Sequence, residues 1–387
     1  MFADNTSSAT DASGWNTRMD TLLNVNKTGA SNPQGCLVLQ PNKPNFLPWD
    51  NPDNLVSLEV VETFDIIAYV VCLSLFLVGA PTNIISLIAF YRQGVKQRIN
   101  LCLFSQSFAD LCNMTTNFLL YADQIYPTVS NTSAPRPVLR FVINNYLIGL
   151  CSFHWVSGFI TMLIACERCF CVVSPLRSST VLRTRTMAVI IVTASLLIVG
   201  GYFVNAARWR VTCVFDRGTN TTSDQTLEND LNVQTKRLVT MLDGVVYGLL
   251  LPAVFVLAVL VSTILTVTKI KRMTSWRERT SSVVTTPHDV SLTRTLIGTS
   301  VLFIVCTVPN IALRIGIMFV PQVSMGGRYH NTLSFMGYLT QLFSSINSSA
   351  NFFIYYSMGS KYRKTVKSMF GRASTTRNTA DPSRIQL

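Results

Sequence analysis

A carboxylate and a guanidinium stand side by side in Cys166-Glu167-Arg168-Cys169-Phe170-Cys171, at the end of an apolar run that begins near Phe141. Charge in such a place is costly in hydrocarbon and asks for a role. One role is a latch: Arg168 pairs with acids in one state and is released to a partner in another. The plain alternative is that Arg168 snorkels to the lipid headgroups. A second set is polar and lies inside the apolar runs: Asn83, Asp110, Ser157, Asn347, Ser348 and Asn351. Facing one centre at one depth, these would surround a single carboxylate with oxygens. A buried Asp without partners is neutral or very costly. A small hydrated cation such as sodium would satisfy it. A polar network that glues helices together, with no ion, is the alternative.

The elements that must position these groups follow from composition. The chain has 387 residues and a net charge of +13, yet only 13% of its residues are charged and 49% are hydrophobic. So few charges point to a membrane protein rather than a soluble domain. Seven apolar runs lie near 64–90, 99–121, 141–171, 187–207, 240–268, 292–320 and 333–358. Each meets the roughly 20 residues a bilayer requires, and backbone facing lipid must be helical. Pro252 and Pro309 fall in the fifth and sixth runs, where they predict kinks rather than breaks.

Orientation follows from the charge of the connections. Residues 92–98 carry Arg92, Lys96 and Arg98 with no acid, and the connection after the third run carries Arg177, Arg183 and Arg185. Residues 269–291 and the tail after 358 are also strongly basic. These four segments share one side when the spans are odd in number, so they are expected in the cytoplasm. The positive charge then faces anionic lipid and cytosolic partners rather than nucleic acid. Glycosylation triplets at Asn5, Asn26, Asn131 and Asn220 fall on the opposite side, while those at Asn113 and Asn347 lie inside helices and are discounted. The expected product is a multi-pass protein of the plasma membrane with its N-terminus outside and its C-terminus inside. Residues 1–20 are polar and show no cleavable leader, so the first run would serve as the insertion signal.

The resulting fold class is all-α: a seven-transmembrane helix bundle over 64–358. A disordered glycosylated tail, 1–63, precedes it. Residues 359–370 alternate basic and apolar residues at helical spacing and are expected as an amphipathic helix on the inner leaflet, followed by a disordered tail, 371–387. The ten cysteines show no zinc or redox spacing. No metal motif, phosphate loop or nucleophile triad suggests an enzyme. A transporter or channel would also fit seven helices with an intramembrane Asp, but no internal repeat supports it.

Over 64–370 the chain resembles a rhodopsin-like G-protein-coupled receptor. The marks are Asn83, Asp110, Glu167-Arg168-Cys169, Pro175, Pro252, Pro309 and Asn351 with Tyr355. Several stretches are similar to molluscan chemosensory receptors, among them Gly158-Phe159-Ile160-Thr161, Ser275-Trp276-Arg277 and Ile346 to Tyr356. The resemblance implies an extracellular ligand, small molecule or peptide, and a heterotrimeric G protein inside. It implies that Asp110, Ser157, Asn347 and Asn351 form an allosteric sodium site, with no other cofactor. It implies a latch and coupling set of Glu167, Arg168, Asp289 and Tyr355, in which Asp289 pairs with Arg168. A neuropeptide receptor of the same class is the alternative.

Departures from that family are specific. Cys169 replaces a Tyr, Thr307 stands where the family places a Trp, and Phe352 stands where Pro follows Asn. Leu150 and Ser345 occupy the positions of an amine-binding Asp and a retinal-binding Lys, which argues against both ligand classes. The pocket the resemblance implies is lined by Leu150, His154, Tyr247, Asn310, Arg314, Tyr338 and Gln341. Arg314 would suit a carboxylate or an amidated terminus; it would otherwise snorkel outward or pair with Asp243. His154 is either a satisfied core histidine or a pH sensor. The family's outer disulfide has Cys213 as its loop partner, but no cysteine lies near Ile143. Cys213–Cys36, Cys213–Cys151 and a free Cys213 remain open, with Cys36 favoured because Cys151 should be buried.

Overall fold

The computed structural model describes residues 37–39, 52–130, 147–175, 177–178, 182–216, 221–228, 233–280, 287–320, 322–323 and 328–377. The expected glycans at Asn5, Asn26, Asn131 and Asn220, and the thiol of Cys36, lie outside these residues.

Helix α1 spans Leu58–Gln93, six residues earlier than apolarity alone suggests. Ser57 caps it, its hydroxyl accepting from the Val60 N–H at 3.4 Å, and such a cap lets a helix start ahead of its apolar stretch. The helix stops at Gly94, whose φ of 95° is open to glycine at little cost. Helix α2 is Arg98–Ser130, α3 is Phe153–Val173 and α4 is Thr184–Tyr202. A single turn, Ile148–Leu150, leads into α3. The fifth span, α5, joins Val233–Met241, a π-helical stretch Leu242–Leu250 and Leu251–Thr280. Pro252 accounts for the widened stretch: its ring crowds the carbonyl four residues back, and the Leu251 N–H bonds five back, to Val246. Helix α6 is Pro287–Phe319 with Pro309 inside it, α7 is His330–Met358 and α8 is Ser360–Arg377.

α1, α3, α4, α5 and α6 are long and apolar enough to cross a membrane. α2 and α7 are equally long, at 33 and 29 residues, but more polar. Their polarity points inward. Val189, Val192, Leu196 and Leu197 on α4, Val254, Leu257 and Ile264 on α5, and Val301 and Val305 on α6 are exposed, whereas Asn83, Gln106, Asp110, Asn113, Asn347 and Asn351 are buried. An exposed apolar belt around a polar interior is the arrangement a lipid solvent selects.

A small sheet departs from the all-α expectation. β2 (Trp209–Asp216) and β3 (Thr221–Glu228) pair antiparallel, and β1 (Leu37–Leu39) adds in parallel to β2, with Leu37 opposite Val214. Part of the first tail is thus strand, not disorder. α8 packs against the bundle through Tyr362 and Val366. Tyr362 lies 5.2 Å from the Phe90 ring and shares a 2.8 Å hydrogen bond with Ser86. Burial there pushes its phenol up to about 12 despite that bond. α8 also runs seven residues beyond the expected 370.

Candidate functional site

The polar interior is stacked in three layers. In the central layer Asp110, on α2, is fully buried. Ser157 on α3 donates to its Oδ1 at 2.6 Å, and Asn351 on α7 donates to its Oδ2 at 2.9 Å. Asn83 on α1 donates to the backbone carbonyls of Gly79 and Ser348, both at 3.0 Å. That reach requires α1 to approach α7 closely, and a Cβ added at Gly79 would lie 2.9 Å from the Ser349 Cβ. Ser157, Asn351 and Ser348 therefore meet around the Asp110 carboxylate. Asn347 is buried, but among the described residues no hydrogen bond joins it to Asp110; the neighbouring Ser348 is the α7 residue beside that carboxylate.

Two residues of this layer were not expected. Asn113 donates to the hydroxyls of Ser344 and Ser348, both at 3.0 Å. Gln106 donates to the Thr161 hydroxyl at 2.9 Å and accepts from Tyr355 at 3.5 Å. The signal was present in the chain: Gln106, Asp110, Asn113 and Asn117 repeat at helical spacing on one face of α2.

At the basic end, Glu167 is buried with both oxygens engaged. Its Oε2 lies 2.6 Å from Arg168 Nε, and its Oε1 lies 3.6 Å from Arg98 Nε. The shorter contact is off the line of a hydrogen bond, as expected of chain neighbours that leave a helix on different sides. Arg98 is held further by its Nη1, which donates to the carbonyls of Ser178 at 2.6 Å and Leu182 at 2.9 Å. The partner expected for Arg168 was Asp289, whose side chain lies outside the described ones. Arg98 as the second cation on Glu167 was not anticipated. Tyr355, expected in the same set, sits instead against Gln106 and the rings of Phe90 and Tyr362, at centroid distances of 5.4 and 5.7 Å.

In the layer at the opposite end, His154 and Ser344 share a 2.8 Å hydrogen bond. Gln341 donates to Asn117 at 3.4 Å, Asn117 to Ser345 at 3.5 Å, and Thr340 to Asn310 at 3.3 Å. His154, Gln341 and Asn310 thus take part in separate polar contacts that join α3, α2 and α6 to α7. Other expected lining residues separate from them. Tyr247 is buried against α4, donating to the Ile198 carbonyl at 2.9 Å, because the small Gly201 admits its ring. Tyr338 turns to α1, where it hydrogen-bonds Asp65. Leu150 sits in the lead-in turn to α3 and is partly buried. Arg314 is half-buried beside Gly248. Asp243 accepts from Asn205 at 3.1 Å, and among the described residues no ion pair joins it to Arg314.

Of the disulfide alternatives, Cys213–Cys151 is not formed: Cys151 is a free thiol. Cys213 lies on β2, opposite Asp224.

An apolar belt of helices around a buried polar interior is the build of an α-helical membrane protein. The comparison with protein families is specific. Residues 69–373 match the model for the serpentine type 7TM GPCR chemoreceptor Srw, and the chain belongs to that family. No curated protein matches it. Membership makes it a multi-pass membrane receptor of the chemosensory kind.

Proposed function

We propose that this receptor binds a ligand at the end of the bundle that carries β1 to β3 and passes its presence to a heterotrimeric G protein at the basic end. The N-terminus would be extracellular and the C-terminus cytoplasmic, as the basic connections require. The rhodopsin-like marks Asn83, Asp110, Glu167-Arg168 and Asn351 favour that class, and the similarity to molluscan chemosensory receptors favours a water-borne cue over a neuropeptide.

The observation that carries the proposal is the continuity of the polar interior from His154 to Tyr355. His154 meets Ser344; Asn113 joins Ser344 to Ser348; Ser348 adjoins Asp110. Asp110 accepts from Ser157, whose carbonyl accepts from Thr161 at 3.0 Å, and Thr161 accepts from Gln106, which meets Tyr355. Buried hydrogen-bonded groups have few satisfied arrangements, so a change at one end favours a discrete change at the other. Glu167 would hold Arg168 at rest, and release of Arg168 would open the site for the G protein.

The same interior fits an allosteric sodium ion. Asp110 is fully buried, and among the described residues its hydrogen-bond donors are neutral. An ionised carboxylate so placed calls for a counter-charge. Asp110, Ser157, Ser348 and Asn351 would hold the ion with oxygens, which suits a hard cation.

The test is signalling in cells expressing the full chain, screened against water-borne odorants, amino acids and peptides. A ligand-evoked calcium rise that G-protein block removes is expected. Ligand-evoked current or uptake that persists under the block would replace the receptor reading with transport.

A further inference from the structure

At the basic end, an open groove of about 570 Å³ runs between α2, α3 and α4. Its walls include Lys96, Arg98, Arg168 and Arg183, with Gln97 and Thr184 between them and no acidic residue among the lining groups. We propose that this groove binds a multiply phosphorylated headgroup, an inositol polyphosphate presented by a lipid of the adjacent leaflet.

The groove is built rather than a chance meeting of surface cations. Thr184 donates to the Lys96 carbonyl at 2.8 Å, tying the first connection to the start of α4. Arg98 is fixed by the Ser178 and Leu182 carbonyls, which set one wall. Arg98 and Arg168 are largely buried, with side chains 26% and 21% exposed, so their fields are less screened than those of surface charges. Lys96 and Arg183 are exposed at the rim. Glu167, behind the wall, offsets one of the four cations, and the excess stays positive.

Backbone adds to side chains. α2 starts at Arg98 and α4 at Thr184, so two helix N-termini meet at this groove. Arg183, at the cap position of α4, makes no side-chain cap, which leaves first-turn N–H groups for another acceptor. Several fixed cations favour several phosphates over one. The lipid source is argued from continuity: Val189, Val192 and Leu196 lie exposed along α4 beyond its first turn. Acyl chains attached to a headgroup in the groove would lie against them.

The test uses the full chain purified into phosphatidylcholine nanodiscs, with and without phosphatidylinositol bisphosphate, and reads bound lipid by native mass spectrometry. Selective retention of the bisphosphate lipid over phosphatidylserine is expected. The Lys96→Ala/Arg183→Ala pair, both at the rim, should weaken it about thirtyfold. Lys361→Ala/Lys364→Ala on α8 should leave it within about twofold, which separates the groove from a generally basic face. Inositol trisphosphate without acyl chains should compete weakly; competition as strong as the lipid's would overturn the lipid source. Equal retention of phosphatidylserine, or unchanged binding by the rim variant, would overturn the site.

Discussion

Glu167 bridges two cations from different parts of the chain, Arg168 beside it and Arg98 at the start of α2. Removing one partner of a buried charge group costs more than the pair's net worth, because the remaining charge stays in a poor medium. Glu167→Gln should therefore release Arg168, while the Ser178 and Leu182 carbonyls still hold Arg98. The expected result is ligand-independent signalling raised about tenfold, the scale of a typical allosteric coupling, at unchanged surface expression. Arg168→Ala should silence coupling in the same assay while the protein still reaches the surface. Full signalling by Arg168→Ala would exclude the latch.

Asn113 ties α2 to two α7 hydroxyls and lies directly above Asp110's partners. Asn113→Ala should leave Ser344 and Ser348 each short of a donor, at a cost of about 1–3 kcal/mol, read as a lower melting temperature of purified receptor. Asp110→Asn should act differently. It keeps the hydrogen-bonding shape and removes the charge, so stability should hold while any sodium dependence of agonist affinity disappears. A sodium effect that survives in Asp110→Asn would place the ion elsewhere.

The bundle was legible because lipid imposes a simple rule on each span: five spans meet it by apolarity, and α2 and α7 match its length with their polar residues turned inward. The central layer was legible because a polar residue inside such a run has few reasons to be there. Asn113 and Gln106 were overlooked although they share the α2 face of Asp110, since uncharged amides stand out less from apolar neighbours than a carboxylate does. Arg98 was counted only as a loop charge; its approach to Glu167 depends on how α2 crosses α3, which no local pattern encodes. The turn of Tyr247 toward α4 has the same origin, in packing between helices distant in sequence. The outer sheet escaped notice because β3, Thr221–Glu228, is polar apart from Leu227 and lacks the alternation that marks a strand.

β1 and β2 bear on the remaining disulfide question. Leu37 and Val214 are paired, and each directly follows a cysteine in the chain, Cys36 and Cys213. With Cys151 a free thiol, Cys36 is the remaining partner that the resemblance offers Cys213, so a Cys36–Cys213 bond is expected on the oxidising side. Peptide mapping without reductant should recover the linked pair, and Cys151→Ser should not alter it. Closing so long a loop contributes about 4–5 kcal/mol by chain entropy, so Cys36→Ser should lower thermal stability. A linked Cys151 peptide, or two free thiols at 36 and 213, would refute the pairing.

Arg314 offers the sharpest handle on ligand chemistry. It is half-buried on α6, with its Cδ 3.4 Å from where a Cβ at Gly248 would stand, so its stem lies over a glycine of the π-helical stretch. Among the described residues no carboxylate pairs with it, which leaves its donors for a ligand anion. A charge-assisted hydrogen bond contributes about 1.5–3 kcal/mol, so Arg314→Ala should raise the half-maximal concentration of a carboxylate agonist about ten- to a hundredfold. The same agonist as its methyl ester should lose potency on the native receptor and be indifferent to the substitution. Arg314→Lys should restore part of the response, since it keeps the charge and loses the planar fork. A dose curve for the carboxylate that Arg314→Ala does not move would take Arg314 out of the ligand site and return it to the lipid boundary.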